Sequence, residues 1–310
     1  MEESSLVELG IPAGALYDSE ARDLRTTKIG GFPVYPKTLK SMIGTQPKCK
    51  VCSATMYLIL QMDCPMECSD FVRIVHVFGC NSAKCSSSNE GWLATFTFVK
   101  KAQCHLKENS KPKNFWDPDF GKSLEQLSID DKQTTEDGLA AEDYPCVFPG
   151  QVLKITQELW NESSRSKKEA TQPHNIPISE DSSEVYEKIL PAGIDKKFET
   201  FQKRVAAYPR QCVRYGGRIL PFNQNPIPEI PICPNCGEAR SFELQLMPAI
   251  LHFLPVSEDA YLTHIEQRSN HPFFGDEMQW GTVLIYSCGS KCLHAGYSTS
   301  PAYFHIQVED

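Results

Sequence analysis

The sequence lacks several features that would mark common classes of protein. No apolar run approaches the roughly 18 residues that a membrane-spanning helix needs. There is no Gly-x-Ser-x-Gly nucleophile motif and no Gly-x-x-x-x-Gly-Lys phosphate-binding loop, and the eight histidines are scattered. These absences argue against a membrane protein and against the common hydrolases and nucleotide-binding enzymes. We therefore expect a protein that is not an enzyme.

Basic residues are also in short supply. The chain has 31 lysines and arginines against 39 aspartates and glutamates, a formal net charge of −8. A duplex nucleic-acid binder needs a basic face, so this balance argues against direct nucleic-acid binding. The first five residues are acidic and polar, unlike a secretory signal, and we expect an intracellular protein. In a reducing compartment, thirteen cysteines indicate metal sites rather than disulfides.

Eight of these cysteines form two sets with matching spacing. The first set is Cys49, Cys52, Cys80 and Cys85, and the second set is Cys233, Cys236, Cys288 and Cys292. Each set opens with Cys-x-x-Cys, and a glutamine follows nine positions later, at Gln61 and at Gln245. Four thiolates satisfy the tetrahedral preference of Zn²⁺ and leave no position open for catalysis. The spacing predicts two structural zinc ions.

Other side chains compete for these positions. Cys64 and Cys68 lie between the two pairs of the first set and are alternative ligands there. His294 closely follows Cys292 and is an alternative ligand in the second set. A further alternative is that the eight thiols are reduced, structural and free of metal.

Further landmarks recur in the same order around both sets. A glycine pair precedes each, at Gly30-Gly31 and at Gly216-Gly217, and such pairs indicate turns because glycine permits positive φ. Segments rich in Val, Ile, Leu and Phe follow, and in the first half they predict strands at 56–62, 71–78 and 92–99. We therefore expect a mainly β (β-rich α+β) protein, formed by internal duplication of two related zinc-ribbon-containing β modules.

The composition of the chain changes near its middle. Between Phe115 and Val147 there are nine acidic residues and two basic ones, with few strand formers. Such a segment is typical of a disordered acidic linker. The predicted domains are an N-terminal β module with the first cysteine set at 1–103, the linker at 104–143, and a C-terminal module with the second set at 144–310, including a loose insert near 161–183.

Several stretches carry a resemblance to a known family. In the second half they are Val213-Arg214-Tyr215, Cys233-x-x-Cys236-Gly237, Phe242 to Pro248 and Gly281 to Cys288. In the first half they are Lys28 to Pro33, the first cysteine set and His76-Val77-Phe78. The chain resembles the programmed cell death protein 2 family, closest to its programmed cell death protein 2-like branch, which is related to the yeast protein Tsr-four.

This resemblance implies a dedicated chaperone or adaptor for a newly made ribosomal protein of the small subunit. The implied client is the universal S-five protein (eukaryotic S-two), in biogenesis of the 40S subunit. The resemblance also implies an arginine methyltransferase and an export receptor as partners, and a cytoplasmic location with nuclear shuttling. An acidic partner suits a basic ribosomal protein because it neutralises the charge of the client and screens it from RNA.

The alternative is a zinc-ribbon regulatory protein that binds nucleic acid or transcription and chromatin factors. Zinc knuckles commonly have such partners, but a basic face should then be visible. The molecule that co-purifies with the chain, one small-subunit ribosomal protein or RNA, distinguishes the two functions.

The acidic linker contains a pattern with the spacing of a leucine-rich export signal. It consists of Phe120, Leu124, Leu127 and Ile129. These four apolar side chains can line one face of a short helix and fill a hydrophobic groove on a receptor. The alternatives are a chance amphipathic stretch and a helix that docks on the body of this protein itself.

Replacing Leu124, Leu127 and Ile129 together with alanine is expected to move a tagged protein from the cytoplasm to the nucleus. The export receptor would lose the side chains that fill its groove. Fluorescence microscopy measures the distribution, and thermal unfolding of the purified variant checks that folding is unchanged. An unchanged distribution, also insensitive to inhibition of the export receptor, would refute the signal.

Overall fold

The computed structural model describes residues 6–36, 46–66, 70–101, 147–159, 195–254 and 277–308. Four expectations from the sequence lie outside these residues: the acidic linker at 104–143, the insert near 161–183, Cys68, and the export pattern of Phe120, Leu124, Leu127 and Ile129. The described residues are mainly β, as predicted. None of their helices combines the length and the apolar character needed to cross a membrane.

The named strands of the described residues form a single sheet of eleven strands, with antiparallel pairing throughout. In chain order they are β1 Glu8–Ala15, β2 Lys28–Ile29, β3 Tyr57–Asp63, β4 Phe71–Gly79, β5 Trp92–Lys100, β6 Gln151–Gln157, β7 Val213–Tyr215, β8 Ser241–Leu246, β9 Thr282–Ser287, β10 Thr299–Pro301 and β11 Tyr303–Gln307. Their order across the sheet is β10-β5-β4-β3-β2-β6-β1-β7-β8-β9-β11. Strands that precede and follow the segment 102–146 therefore alternate at the centre, where β1 lies between β6 and β7.

The two ends of this sheet are joined by one segment of the chain. Its first part, β10, pairs with β5, and its second part, β11, pairs with β9, with only Ala302 between them. The sheet therefore closes on itself, and side chains from both halves share the enclosed core. In this core the ring of Trp92 lies 5.8 Å from that of Trp280 and 6.2 Å from that of Phe304, measured between centroids.

Most helices in the described residues are single turns. The helices of these residues are α1 Asp18–Ala21, α2 Ala83–Ser86, α3 Lys196–Ala207, α4 Ala249–Phe253 and α5 Lys291–His294. Helix α3 begins after Asp195, whose carboxylate accepts hydrogen bonds from the backbone N–H groups of Lys197 and Phe198 at 2.7 and 3.3 Å. Its apolar face packs edge-on against Phe222, which attaches the helix to the sheet.

The two glycine pairs adopt the same backbone conformation, as the sequence predicts. Gly30, Gly31, Gly216 and Gly217 all have φ between 65 and 70°. This left-handed region favours glycine because a side chain collides with the following carbonyl group. At Gly30 the close approach is a second reason, since a Cβ there would lie 2.4 Å from the carbonyl oxygen of Pro149.

The two glutamines of the sequence repeat are buried beneath these turns. Gln61 Oε1 accepts a hydrogen bond from the N–H of Val34 at 2.9 Å, and Gln245 Oε1 accepts one from the N–H of Leu220 at 3.1 Å. Their amide groups donate to carbonyl oxygens of the adjoining loops. A buried amide without partners would cost about 1–3 kcal/mol, so these bonds fix each loop to its strand. The equivalent geometry suits internal duplication, which stays a prediction.

A buried cation lies beside each glutamine, on β2 and on β7. Arg214 is held by Glu158, with its Nη1 and Nη2 donating to Oε1 and Oε2 at 2.9 and 2.8 Å. Lys28 Nζ instead donates to the carbonyl oxygen of Ala21 at 2.8 Å. Burial lowers the pKa of Lys28 to about 7, although the negative charge of Asp23 raises it in part. The first half therefore contains a buried amine whose charge is poorly compensated.

This amine is expected to make stability depend on pH. The pKa of Lys28 is lower in the folded state than its ordinary value of 10.5, so the unfolded chain binds more protons between about pH 7 and 10.5. This contribution to stability therefore rises with pH through that window and is lost as the pH falls toward 7. Lys28→Met removes this dependence. The stability of the variant minus that of the wild type should therefore be larger at about pH 7 than at about pH 9.5.

Urea unfolding at both pH values measures the difference. Lys154→Met is the matched control, because Lys154 is an exposed lysine on β6, next to β2 in the sheet. A Lys28→Met variant with the same pH dependence as the wild type would contradict the prediction.

Candidate metal centres

The first pair of cysteines in each set lies on the same kind of tight turn. The N–H of Ser53 donates to the carbonyl oxygen of Cys49, and the N–H of Gly237 donates to that of Cys233, each at 2.8 Å. The donating residue has positive φ in both turns, 61° at Ser53 and 72° at Gly237. Glycine suits this conformation better than serine, so the sequence marks the second turn more clearly than the first.

The second pair of each set follows the neighbouring strand. Cys80 comes directly after β4 and Cys288 directly after β9, while Cys85 and Cys292 lie on the one-turn helices α2 and α5. Strands β3 and β4 are antiparallel neighbours, as are β8 and β9. The start of one strand and the end of its neighbour therefore meet at the same edge, which brings the two cysteine pairs together.

The structure assembles the eight predicted ligands into two clusters that could each hold a metal ion. Within each cluster all four sulfur atoms lie within 4.8 Å of one another. Cys52 Sγ lies 3.5 Å from Cys80 Sγ, and Cys292 Sγ lies 3.5 and 3.4 Å from those of Cys233 and Cys288. Zn–S bonds of about 2.3 Å in a tetrahedron place the sulfurs about 3.8 Å apart, whereas a disulfide needs about 2.05 Å. Both clusters therefore fit four-coordinate Zn²⁺.

The alternative ligands within the described residues belong to neither cluster. Cys64 is buried in the central core, where its thiol points to the carbonyl oxygen of Met62 at 3.8 Å and burial raises its pKa. His294 is exposed at the end of α5. The first cluster is therefore built without Cys64, and the second without His294.

The local electrostatics favour thiolates at one position in each cluster. Burial raises the pKa of Cys233, but N–H groups of the turn, that of Cys236 foremost, outweigh it and lower the pKa to about 6. At Cys52 the N–H of Ala54 and the neighbouring thiols likewise outweigh burial, and the pKa lies below its usual value. Burial and the neighbouring sulfurs raise the pKa of Cys292. Four closely packed thiols cannot all ionise without a positive charge between them, because the thiolates repel one another. A bound cation would supply that charge.

A polar side chain outside the cysteine pattern contacts the second cluster. Ser300, fully buried on β10, has its Oγ 3.1 Å from Cys288 Sγ. It belongs to no recognisable motif, and its strand is distant in sequence from β5, with which it pairs. Sequence reasoning missed it because a single serine eight residues after Cys292 carries no recognisable signal.

A groove of about 920 Å³ lies between helix α3 and Trp280. Phe201 and Val205 line one side of it, and Ala83 and Ser87, which flank Cys85 in the chain, line another. The side chains that line it within the described residues carry no charge. Concave apolar surfaces of this kind are common binding sites, and residues from both halves of the chain form this one.

The closed antiparallel sheet and the two four-cysteine clusters define a β-rich protein with two candidate structural metal sites. Two family models match it: "Programmed cell death protein 2, N-terminal domain" over residues 6–116 and "Programmed cell death protein 2, C-terminal putative domain" over residues 195–305. Together they cover both cysteine clusters. The chain belongs to the programmed cell death protein 2 family, as its resemblance indicated.

Curated relatives match over most of this chain or over a short part of it. "Programmed cell death protein 2-like" of Homo sapiens is 24% identical over 340 residues, covering 92% of this chain and 90% of the relative. "Probable 20S rRNA accumulation protein 4" of Schizosaccharomyces pombe is 24% identical over 388 residues, covering 92% of each. "Programmed cell death protein 2" of Bos taurus is 31% identical over 110 residues, covering 34% of this chain and 27% of the relative. No solved structure matches this chain.

Purified protein is expected to contain two zinc ions per chain. Cys236→Ser removes one ligand of the second cluster, so zinc should fall to about one per chain and the second half should become molten or insoluble. A structural zinc site contributes on the order of 10–16 kcal/mol of apparent binding free energy, comparable to the stability of a whole domain.

Mass-spectrometric metal analysis measures the stoichiometry. Cys212→Ala is the control, because Cys212 is a buried thiol outside both clusters and its loss should leave the zinc content unchanged. Wild-type protein with well below one zinc per chain would contradict the assignment.

Proposed function

We propose that this protein is a non-enzymatic chaperone or adaptor for a newly made ribosomal protein of the small subunit. The observation that carries the proposal is the match to the S. pombe protein named for 20S rRNA accumulation, which spans 92% of both chains. Accumulation of an rRNA species is a property of ribosome biogenesis, and a match of this extent is a reason to extend that role to this chain. The proposed client is the S-five protein (eukaryotic S-two) of the 40S subunit.

The same proposal includes the partners and the location that the family resemblance implies. An arginine methyltransferase and an export receptor would act with the protein, which would be cytoplasmic and shuttle through the nucleus. Two four-cysteine clusters without an open coordination position support a structural use of zinc, consistent with a protein that binds rather than catalyses.

The distribution of charge supports different roles in client binding for the described residues and for the rest of the chain. The described residues contain 19 lysines and arginines and 14 aspartates and glutamates. The remaining residues contain 12 lysines and arginines and 25 aspartates and glutamates. The acidic surplus therefore belongs to the remaining segments. In our proposal these segments attract and neutralise the basic client, chiefly by raising the association rate, and the folded body supplies the specific contact.

The apolar groove beside α3 is the surface that we assign to an apolar segment of this client. Two of the acidic segments join the chain close to it: 160–194 precedes α3, and 255–276 lies between groove residues Leu251 and Gln279. Together these two segments have ten acidic and five basic residues. The acidic segments complement a partner that is basic overall. The uncharged groove complements an apolar segment of the same partner.

Ala206→Glu is expected to weaken client binding at least tenfold, because a charged side chain would fill the apolar groove that Ala206 lines. Ala207→Glu is the matched control: both alanines are exposed near the end of α3, and Ala207 is not part of the groove. Co-expression with the client, followed by purification and calorimetric titration, measures the affinity.

The possible outcomes test the proposed function and the proposed binding groove independently of each other. A client that binds both variants equally would refute the groove assignment but leave the function in place. Failure of the wild-type protein to bind the small-subunit protein would refute the function itself.

A second candidate function is a zinc-ribbon regulator that binds nucleic acid or transcription and chromatin factors. The observation that favours it is the basic surplus of the described residues. Nucleic-acid binding through that surplus would be strongly salt-dependent. RNA that co-purifies with the chain, in place of one stoichiometric ribosomal protein, would support this candidate.

We further infer that the two halves arose by internal duplication. Three landmarks of the first half recur in the second at an identical separation: Cys49 with Cys233, Cys52 with Cys236, and Gln61 with Gln245. The equivalent φ angles of the glycine pairs and the equivalent hydrogen bonds of the glutamines support the inference.

A further inference from the structure

Each cysteine cluster has contacts with the opposite half of the chain. At the first cluster, Ser86 follows Cys85 on α2, and its Oγ accepts a hydrogen bond from the N–H of Gln279 at 3.0 Å. Close by, the N–H of Met278 donates to Asn81 Oδ1 at 3.3 Å. The turn that contributes Cys80 and Cys85 is therefore held by second-half backbone.

At the second cluster the contact with the first half runs through β10. Ser300 lies opposite Phe96 in the pairing of β10 with β5, and Phe98, two residues further along β5, packs against the cysteines of the cluster. The N–H of Phe98 also donates to the carbonyl oxygen of Ser298 at 2.9 Å. The backbone of the first half thus helps to hold Ser300, together with second-half hydrogen bonds from Asn235 to the carbonyl oxygen of Thr299 and from Arg240 to that of Pro301.

The Ser300 hydroxyl has one role available when a metal is bound. A cysteine that coordinates Zn²⁺ is a thiolate without a proton, so in the 3.1 Å contact the hydroxyl must donate and Cys288 Sγ must accept. Hydrogen bonds of this kind orient a ligand and offset part of its charge, and their loss typically costs metal sites 10- to 100-fold in affinity.

We propose that Ser300 is a positioning residue of the second metal site, and that it couples metal binding there to closure of the sheet between the two halves. When β10 separates from β5, the hydroxyl donor leaves Cys288 and the site binds metal less tightly. By reciprocity, a metal ion at the second site stabilises the β10–β5 pairing to the same extent. Metal occupancy and closure of the sheet are then two readouts of one equilibrium.

Competition for zinc in the full-length protein tests the positioning role. Zinc-loaded protein is titrated with the chelator 4-(2-pyridylazo)resorcinol, and the thiols released are alkylated and located by peptide mapping. Ser300→Ala should lose zinc from the second cluster at a 10- to 100-fold lower chelator concentration, with the first cluster unchanged. Ser300→Thr keeps the hydroxyl and should restore most of the affinity.

Ser298→Ala is the matched control, because Ser298 is exposed two residues earlier in the same segment. It should behave as the wild type. Wild-type affinity in Ser300→Ala would overturn the proposal. Equal weakening of both clusters would also overturn it, because that result indicates general loss of stability rather than an effect on one site.

Hydrogen exchange of the wild-type protein tests the coupling without any substitution. Removing zinc from the second cluster should raise exchange in β10 and β5 while β3 stays protected. Unchanged exchange in β10 and β5 would overturn the proposal, and this measurement decides it if Ser300→Ala does not fold.

Discussion

Closure of the sheet by one segment, Thr299–Gln307, is the constraint on which the remaining structure depends. Its hydrogen bonds to β5 and β9 leave neither strand as an open edge, and they enclose the core shared by both halves. The pairing of β10 with β5 joins residues roughly 200 positions apart, so forming it costs the entropy of closing a long loop. The hydrogen bond of Ser86 with Gln279 at the first cluster also joins the two halves. At the second cluster, the pairing of Ser300 with Phe96 does the same.

A buried ion pair between β4 and β8 also joins the two halves, and it fixes how they fit rather than adding much net stability. Arg73 of β4 pairs with Glu243 of β8, and both side chains are largely buried. Removing two ions from water costs several kcal/mol each, which their attraction largely offsets, whereas breaking such a pair costs about 3–5 kcal/mol. Glu243 also accepts from the hydroxyl of Ser287 at 2.6 Å, and Ser287 Oγ accepts from the N–H of Gly289 at 3.0 Å. The ion pair therefore orients the turn around Cys288.

Local patterns in the sequence predict the parts of this fold that depend on neighbouring residues. Strands β3, β4 and β5 lie within a residue or two of the predicted 56–62, 71–78 and 92–99, and the two cysteine sets come together as their spacing indicates. The position of β1 between β6 and β7, and the closure by β10 and β11, come from pairings between distant residues that no local pattern records. No motif marks Ser300, and the burial of Lys28 could not be predicted because its strand has only two residues.

The architecture ties the proposed binding surface to the metal sites. Helix α3 and Trp280 belong to the second half, whereas Ala83 and Ser87 lie on either side of Cys85 in the first. The groove is complete only when the sheet is closed and the first cluster holds its turn against the second-half backbone. Loss of zinc from the first cluster would therefore release the turn that carries Ala83 and Ser87 and disturb the groove. A structural metal ion would in this way influence binding at the surface that we propose for the client.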